Sequence, residues 1–143
     1  INRPSTSGAV IITGRKKGDP DSIATLWVIL GEPVTSIAVP VWVEAKSSPI
    51  QLHSGETAPI CSESLRIKKI IHPFSEGSKI NYLNATKLVN REGTGFLPII
   101  LKTENRIFRE TAEFLKTSHS PDELAEFQTK MAEMALETLK KIK

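Results

Sequence analysis

The first third of the chain contains short apolar runs that are typical of β-strands. Residues 7–13 and 24–30 are rich in β-branched side chains and are bounded by Gly, Pro and charged residues, which predicts two strands. A third apolar run, residues 34–43, follows the turn Gly31-Glu32-Pro33. The sequence therefore predicts that the second and third strands form a hairpin.

The third run is apolar on both of the faces that a strand would present. Residues 37, 39, 41 and 43 are apolar on one face, and Ser36 is the only polar member of the other face, whereas a strand with one solvated face would alternate apolar and polar residues. We therefore expect other layers to cover both sides of this part of the sheet. Pro40 cannot donate a ladder hydrogen bond, which predicts a sheet edge or a bulge at that position.

The apolar spacing changes to a helical period after residue 58. The sequence predicts one helix over residues 60–71 that ends before Pro73, and a second over residues 97–115 with Thr94 as its N-cap. The stretch 80–89 fits a short helix or a turn. A last helix starts at Ser120, where Pro121 and Glu123 complete a capping box.

Strands followed by helices predict an α+β fold. Residues 1–143 are expected to form a single domain or a fragment of one, with strands in 1–45 and a mainly helical part in 58–143. Because all the predicted helices follow the strands, we expect them to cover one face of the sheet. The other face would then require a second copy of the chain or a segment that lies outside it.

Composition excludes several classes of function. The 143 residues carry a net charge of +3, and the basic residues are not interleaved with aromatic ones along one face, so nucleic-acid binding is not expected. A single cysteine, Cys61, cannot form an internal disulfide. No apolar stretch is long enough for a membrane span.

The residues that could carry chemistry are isolated from one another along the sequence. His53, His72 and His119 have no ligand partners at metal-binding spacing, so we expect surface histidines and no metal site. Cys61 lies on an apolar helical stripe, where a free cysteine behaves as a small buried hydrophobe. Core packing is expected for Trp27 and Trp42. Arg3 differs from these residues, since it directly precedes a buried-looking strand.

Several segments together resemble a known family, the N-terminal nucleophile hydrolases of the acyl-coenzyme A:isopenicillin N acyltransferase-like group, which are related to choloylglycine hydrolases. The resemblance covers about residues 2–115. It is carried by Asn2-Arg3-Pro4-Ser5-Thr6-Ser7, Gly8–Gly14, Lys17–Pro20, Thr25–Pro33, Ser36–Val43, Pro59–Leu65, Asn81–Asn84, Glu92–Leu97 and Glu104–Phe108.

This resemblance implies a fold and a reaction. The family's fold is a four-layer αββα sandwich, of which this chain would be the C-terminal half. In the family's mechanism a cysteine at the mature N-terminus attacks an amide or thioester carbonyl, and its own α-amino group serves as the general base. No cofactor is implied, and the substrate would be a small-molecule amide or acyl donor. The enzyme class would be a hydrolase of non-peptide C–N bonds or an acyltransferase.

The sequence departs from the family pattern at the nucleophile, since residue 1 is Ile and no cysteine occupies a maturation site. We therefore expect this chain to be inactive without an N-terminal half of the same precursor. By resemblance, Arg3 is the arginine that favours the thiolate of the nucleophile. Asn2 and Asn81 belong to the resemblance without an assigned role, and no substrate-binding residue is assigned.

Two alternatives remain open from the sequence. The chain could be a stand-alone binding module that dimerises through its exposed sheet, or one subunit of a processed heterodimer. The sequence leaves the compartment open. Since relatives are often exported, the resemblance favours a periplasmic or extracellular location.

Overall fold

The computed structural model describes residues 5–14, 17–18, 24–74, 77 and 82–143. Within them the fold is α+β, with a three-stranded antiparallel sheet that precedes most of the helical structure. The strands are β1 (Gly8–Thr13), β2 (Thr25–Leu30) and β3 (Val39–Val41), and their order in the sheet is β1-β2-β3. The first two strands and the β2–β3 pairing agree with the sequence prediction.

The predicted third strand is wrong in its extent. Residues Pro33–Thr35 form a short 3-10 turn, and only Val39–Val41 pair with β2. The turn forms because Pro33 has a fixed φ and because the backbone N–H and the hydroxyl of Thr35 both donate to the Glu32 carbonyl, each at 2.9 Å. Pro40 lies opposite Trp27 in an edge strand of the described sheet, as its missing N–H predicted.

Four helices account for most of the other described residues. They are α1 (Pro59–Ile71), α2 (Ala85–Leu88), α3 (Leu97–Phe114) and α4 (Pro121–Lys141). The N-cap of α3 is Phe96, so the prediction of Thr94 as its cap is wrong. The backbone N–H of Thr94 instead donates to the Asn90 side chain at 2.9 Å, within the loop that precedes the helix.

The helices and the turn after β2 enclose one apolar core. The fully buried side chains of α1, α3 and α4 meet Ile37 and Val39 in that core. Trp42 packs against Phe114 of α3 and Phe127 of α4, with ring centroids 6.0 Å apart in both cases. The buried core residues of the three helices are Ile60, Ile67, Ile71, Ile100, Ile107, Met131, Ala132, Ala135 and Leu139.

A buried amide joins α4 to the chain after β3. The side-chain oxygen of Gln128 accepts a hydrogen bond from the backbone N–H of Trp42 at 3.2 Å, and its nitrogen donates to the Ser47 carbonyl. Gln128 is fully buried, so both of its polar atoms need these partners. The helix is therefore fixed against the edge of the sheet by hydrogen bonds as well as by packing.

The strand that lacks cover is β1. The sequence predicted instead that the third apolar run, residues 34–43, would need cover from outside this chain. Residues 36–40 are buried on all sides by this chain, whereas Val10, Ile11 and Ile12 are 57%, 56% and 71% exposed. Successive residues of a strand point to opposite faces, so β1 is exposed on both. Among the described residues β1 pairs with β2 alone, which leaves its other edge open.

The capping box of α4 makes a pH-dependent contribution to stability. The Ser120 backbone N–H and hydroxyl donate to the Glu123 carboxylate at 2.7 and 2.9 Å, and these bonds hold its pKa below the usual 4.5. The stabilisation is present above the pKa of the unfolded chain, and it is lost as the pH falls through the lower folded pKa. Glu123→Gln should therefore flatten the fall in unfolding free energy between about pH 5 and pH 3.

Urea unfolding at a series of pH values measures this effect. Glu126→Gln is the matched control, because Glu126 is exposed on the same helix and forms no hydrogen bond or ion pair with the described residues. If Glu123→Gln and Glu126→Gln give the same pH dependence, the capping box does not contribute through the charge of Glu123.

Candidate functional site

The turn after β2 brings together the start of β1 and the end of α1. The backbone N–H of Gly31 donates to the Ser7 carbonyl at 3.0 Å, which anchors the residues that lead into β1. Gly31 has a φ of +94°, and a Cβ built on it would lie 2.1 Å from Ser64 Oγ of α1. Glycine is required here because it alone combines this backbone conformation with such a close approach.

Glu32 and His72 form a buried carboxylate–imidazole pair at this turn. Both carboxylate oxygens of Glu32 lie 3.1 Å from His72 Nε2. The Glu32 side chain is fully buried, and that of His72 is 9% exposed. His72 follows α1 directly, and its backbone N–H donates to Lys68 O at the C-cap. Pairing with His72 reduces the cost of burying the Glu32 carboxylate.

The hydrogen-bond partners of His72 indicate which of its ring nitrogens is the donor. Nε2 faces the Glu32 carboxylate, which accepts hydrogen bonds, whereas Nδ1 is buried and has no partner among the described residues. A proton on Nε2 satisfies this arrangement, because the carboxylate oxygens can only accept hydrogen bonds. The imidazole therefore donates to Glu32.

A second polar pair lies beside the first. Thr35 Oγ1 and Ser64 Oγ are 2.8 Å apart, and both side chains are buried. Ser64 has Thr35 as its hydrogen-bond partner and forms no hydrogen bond with His72. The cluster therefore lacks the hydroxyl–imidazole contact that an activated serine nucleophile needs. The two hydroxyl groups therefore hold the backbone of the turn against α1.

The structure describes some of the residues that carry the family resemblance and leaves others outside the described part of the chain. Arg3, the predicted catalytic residue, lies outside the described residues, as do Asn2 and Asn81. Ser7, four positions after Arg3, is the residue held by Gly31.

The prediction of surface histidines is wrong for His72 and correct for His53, which is exposed and whose Nε2 lies 3.3 Å from the Ser48 carbonyl oxygen. His119 is largely covered, since its ring stacks on Phe114 with centroids 3.6 Å apart. Cys61 is half-buried, beside the fully buried stripe of α1. Within the described ranges, no group of three or more His, Cys, Asp or Glu side chains could hold a metal ion.

Sequence reasoning missed Glu32 and His72 because they are 40 positions apart and have no motif spacing. The one available signal was the position of Glu32, a charged residue in a turn between two apolar runs.

Trp42, which was expected in the core, is buried, and Trp27 packs edge-on against Phe108 with ring centroids 4.7 Å apart. No helix in the described part of the chain has the length and apolar character that a membrane crossing requires.

No protein-family model, curated protein or solved structure matches this chain.

Proposed function

We propose that this chain is the C-terminal part of a cysteine N-terminal nucleophile amidohydrolase or acyltransferase. The nucleophile would be supplied by residues outside these 143, and the complete fold would be a four-layer αββα sandwich. The substrate class is a small molecule with a non-peptide amide or a thioester bond. The sequence resemblance is the basis of this assignment.

In the proposed reaction the cysteine thiol gives its proton to the free α-amino group of the same residue. The thiolate then attacks the substrate carbonyl, and the amine or thiol of the substrate leaves with a proton. Water or a second amine attacks the resulting thioester, which releases the acyl group and regenerates the cysteine. Arg3 would lie beside the sulfur, where its positive charge favours thiolate over thiol.

The exposure of β1 is the single observation that best supports the proposal. Three successive apolar side chains, Val10, Ile11 and Ile12, are more than half exposed, and the strand has an open edge among the described residues. Solvent-exposed apolar edge strands promote aggregation, so natural proteins cover them. In a four-layer sandwich the second sheet and neighbouring strands would provide this cover.

The proposal is tested on the protein as it occurs in its native source, by intact mass under denaturing and native conditions and by N-terminal sequencing of each species. We expect a larger precursor, or a second chain that begins with cysteine and co-purifies with this one. Amide and thioester hydrolysis should then be abolished by replacement of that cysteine. A single species of this mass that forms a stable homodimer would overturn the proposal in favour of the dimerising module.

Substitutions in β1 test whether this strand is covered in the assembled protein. Val10→Lys combined with Ile12→Lys places two charges on one face of the strand, opposite Val28 and Leu26. Because both side chains are exposed here, the change should alter the stability of this chain by no more than about 0.5 kcal/mol. In the complete protein the buried charges should reduce assembly at least about tenfold.

Co-purification of the two parts, or recovery of the mature protein, measures assembly. Val43→Lys is the matched control, because Val43 is 89% exposed and lies beyond β3. Normal assembly of the double-lysine variant would indicate that this face of β1 stays in solvent.

A further inference from the structure

A cavity of about 590 Å³ is formed by side chains of α3 and α4. This volume falls within the range of about 300–1,000 Å³ that is typical of small-molecule sites. The cavity is lined by Arg106, Arg109, Glu110, Ala112, Glu113 and Phe127. An aromatic ring and guanidinium groups therefore face the same space, and these are the two groups that recognise an aromatic anion.

The Phe127 ring is held in place by its neighbours in the fold. It stacks on Phe114 with ring centroids 4.0 Å apart and planes 12° from parallel, and Trp42 packs against it at 6.0 Å. His119 also stacks on Phe114, at 3.6 Å and 8°. Two rings this close to a third must occupy its opposite faces, so Phe127 is one end of a three-ring stack.

The cavity lies at the free end of this stack. Phe114 does not line it, so the cavity meets Phe127 on the part of the ring that Phe114 leaves open. An aromatic ring in the cavity would extend the stack. Because Phe127 is already oriented by its packing, a ligand would not have to immobilise it, which reduces the entropic cost of binding.

The carboxylate of Glu110 is compensated by two cations. It accepts a hydrogen bond from Arg106 Nε at 2.6 Å, and Lys130 Nζ lies 3.6 Å from it. The hydrogen bond from Arg106 is the main reason that the pKa of Glu110 is below its usual 4.5, and the charges of Arg106 and Lys130 lower it further against the opposing effect of burial. Positive charge therefore exceeds negative charge around this carboxylate.

Arg109 has a charge that no described side chain compensates. It is exposed and forms no hydrogen bond or ion pair with the described residues. Glu113, the other carboxylate that lines the cavity, is paired with Lys116 at 2.7 Å. The guanidinium of Arg109 is thus available to a ligand, and its planar donors match the two oxygens of a carboxylate.

We propose that this cavity binds a planar aromatic carboxylate, with the ring stacked on Phe127 and the carboxylate bound by Arg109. Stacking fixes the plane of the ligand, and the paired hydrogen bonds fix its direction. A neutral aromatic molecule would leave Arg109 without a partner, and an aliphatic acid would lose the stacking on Phe127. The inference does not depend on the proposed function, since none of these residues takes part in the proposed reaction.

The test is a titration of the natural full-length protein with benzoate, followed by NMR chemical shifts. We expect saturable shifts confined to the parts of α3 and α4 around the cavity, with a dissociation constant on the order of 1 mM, as suits so small a ligand. Benzyl alcohol has the same ring without the charge and should bind about tenfold more weakly. Cyclohexanecarboxylate has the charge without the aromatic ring and should bind about threefold more weakly.

Substitutions test whether the cavity is the binding site. Arg109→Gln should weaken benzoate binding about tenfold and leave benzyl alcohol unaffected, whereas Arg109→Lys, which keeps the charge but loses the planar donors, should weaken it about threefold. Ala112→Leu extends a side chain into the cavity and should weaken both ligands about tenfold. Because Arg109 and Ala112 are exposed, these variants should fold like the parent.

Arg91→Gln is the matched control, because Arg91 is an exposed arginine that does not line the cavity. It should leave benzoate binding unchanged. Equal losses in Arg91→Gln and Arg109→Gln would mean that benzoate responds to the overall charge of the protein, and they would overturn the inference. Shifts that do not saturate, or equal affinities for benzoate and benzyl alcohol, would overturn it as well. The proposed function fails separately, if the natural protein has no amidase or acyltransferase activity.

Discussion

Replacement of Gly31 by alanine should lower the free energy of unfolding by about 3 kcal/mol, because two penalties coincide at this position. The backbone φ is +94°, a region that side chains with a Cβ occupy only with strain. The added Cβ would also lie 2.1 Å from Ser64 Oγ and 2.5 Å from Ser64 Cβ. Ser64 is buried on α1 and bonded to Thr35, so it cannot move aside without loss of that bond.

Chemical denaturation followed by circular dichroism measures this loss. Gly93→Ala is the matched control, since Gly93 has a φ of +70° but no atom within 4 Å of its Cβ position. It should cost about 1–2 kcal/mol, which isolates the backbone strain from the steric overlap. Equal losses for the two variants would indicate that Ser64 accommodates the methyl group and that the close approach of the turn to α1 is adjustable.

Replacement of Gly95 by alanine should cost about 3 kcal/mol or more, for a purely steric reason. A Cβ at this position would lie 2.2 Å from the Leu88 carbonyl oxygen, 2.6 Å from its carbonyl carbon and 2.8 Å from Val89 Cα. All three are backbone atoms, so no side-chain rotation relieves the overlap. The loop would have to separate from the end of α2, which would break the bond from Phe96 N to the Lys87 carbonyl.

The same denaturation experiment applies, with Gly14→Ala as the control. Gly14 has no atom within 4 Å of its Cβ position and no positive φ, so this substitution should change the stability by no more than about 0.5 kcal/mol. A loss in Gly95→Ala no greater than in Gly14→Ala would contradict the close packing of α2 against the start of α3. Hydrogen exchange at Phe96 would report whether the loop has moved.

Helix positions were predictable because their signals are local. Ser120, Pro121 and Glu123 define the start of α4 within four residues, and the structure forms both hydrogen bonds of that capping box. Pro73 ends α1 as expected, and the buried residues of that helix follow its 3.6-residue period. Period, caps and breakers act over one or two turns, so no tertiary contact is needed to identify them.

The set of buried side chains in α3 was not predictable in this way. An apolar stripe drawn at helical spacing along α3 would include Leu101 and Phe108, which remain exposed, and would omit Thr111, which is buried. Hydrophobicity indicates which side chains favour burial, but the neighbouring elements determine which of them are covered. In the described part of the fold, α3 has more apolar surface than its neighbours cover.

The sequence by itself determined the order of elements, the α+β class, the β2–β3 pairing, the boundaries of α1 and the start of α4. Tertiary structure alone decided that β1 rather than the third run lacks cover and that Glu32 meets His72. The physical reason is the distance along the chain over which each of these signals acts. Caps and periodicity depend on neighbours within a few residues, whereas the burial of a strand and the pairing of residues 40 positions apart depend on which distant surfaces pack together.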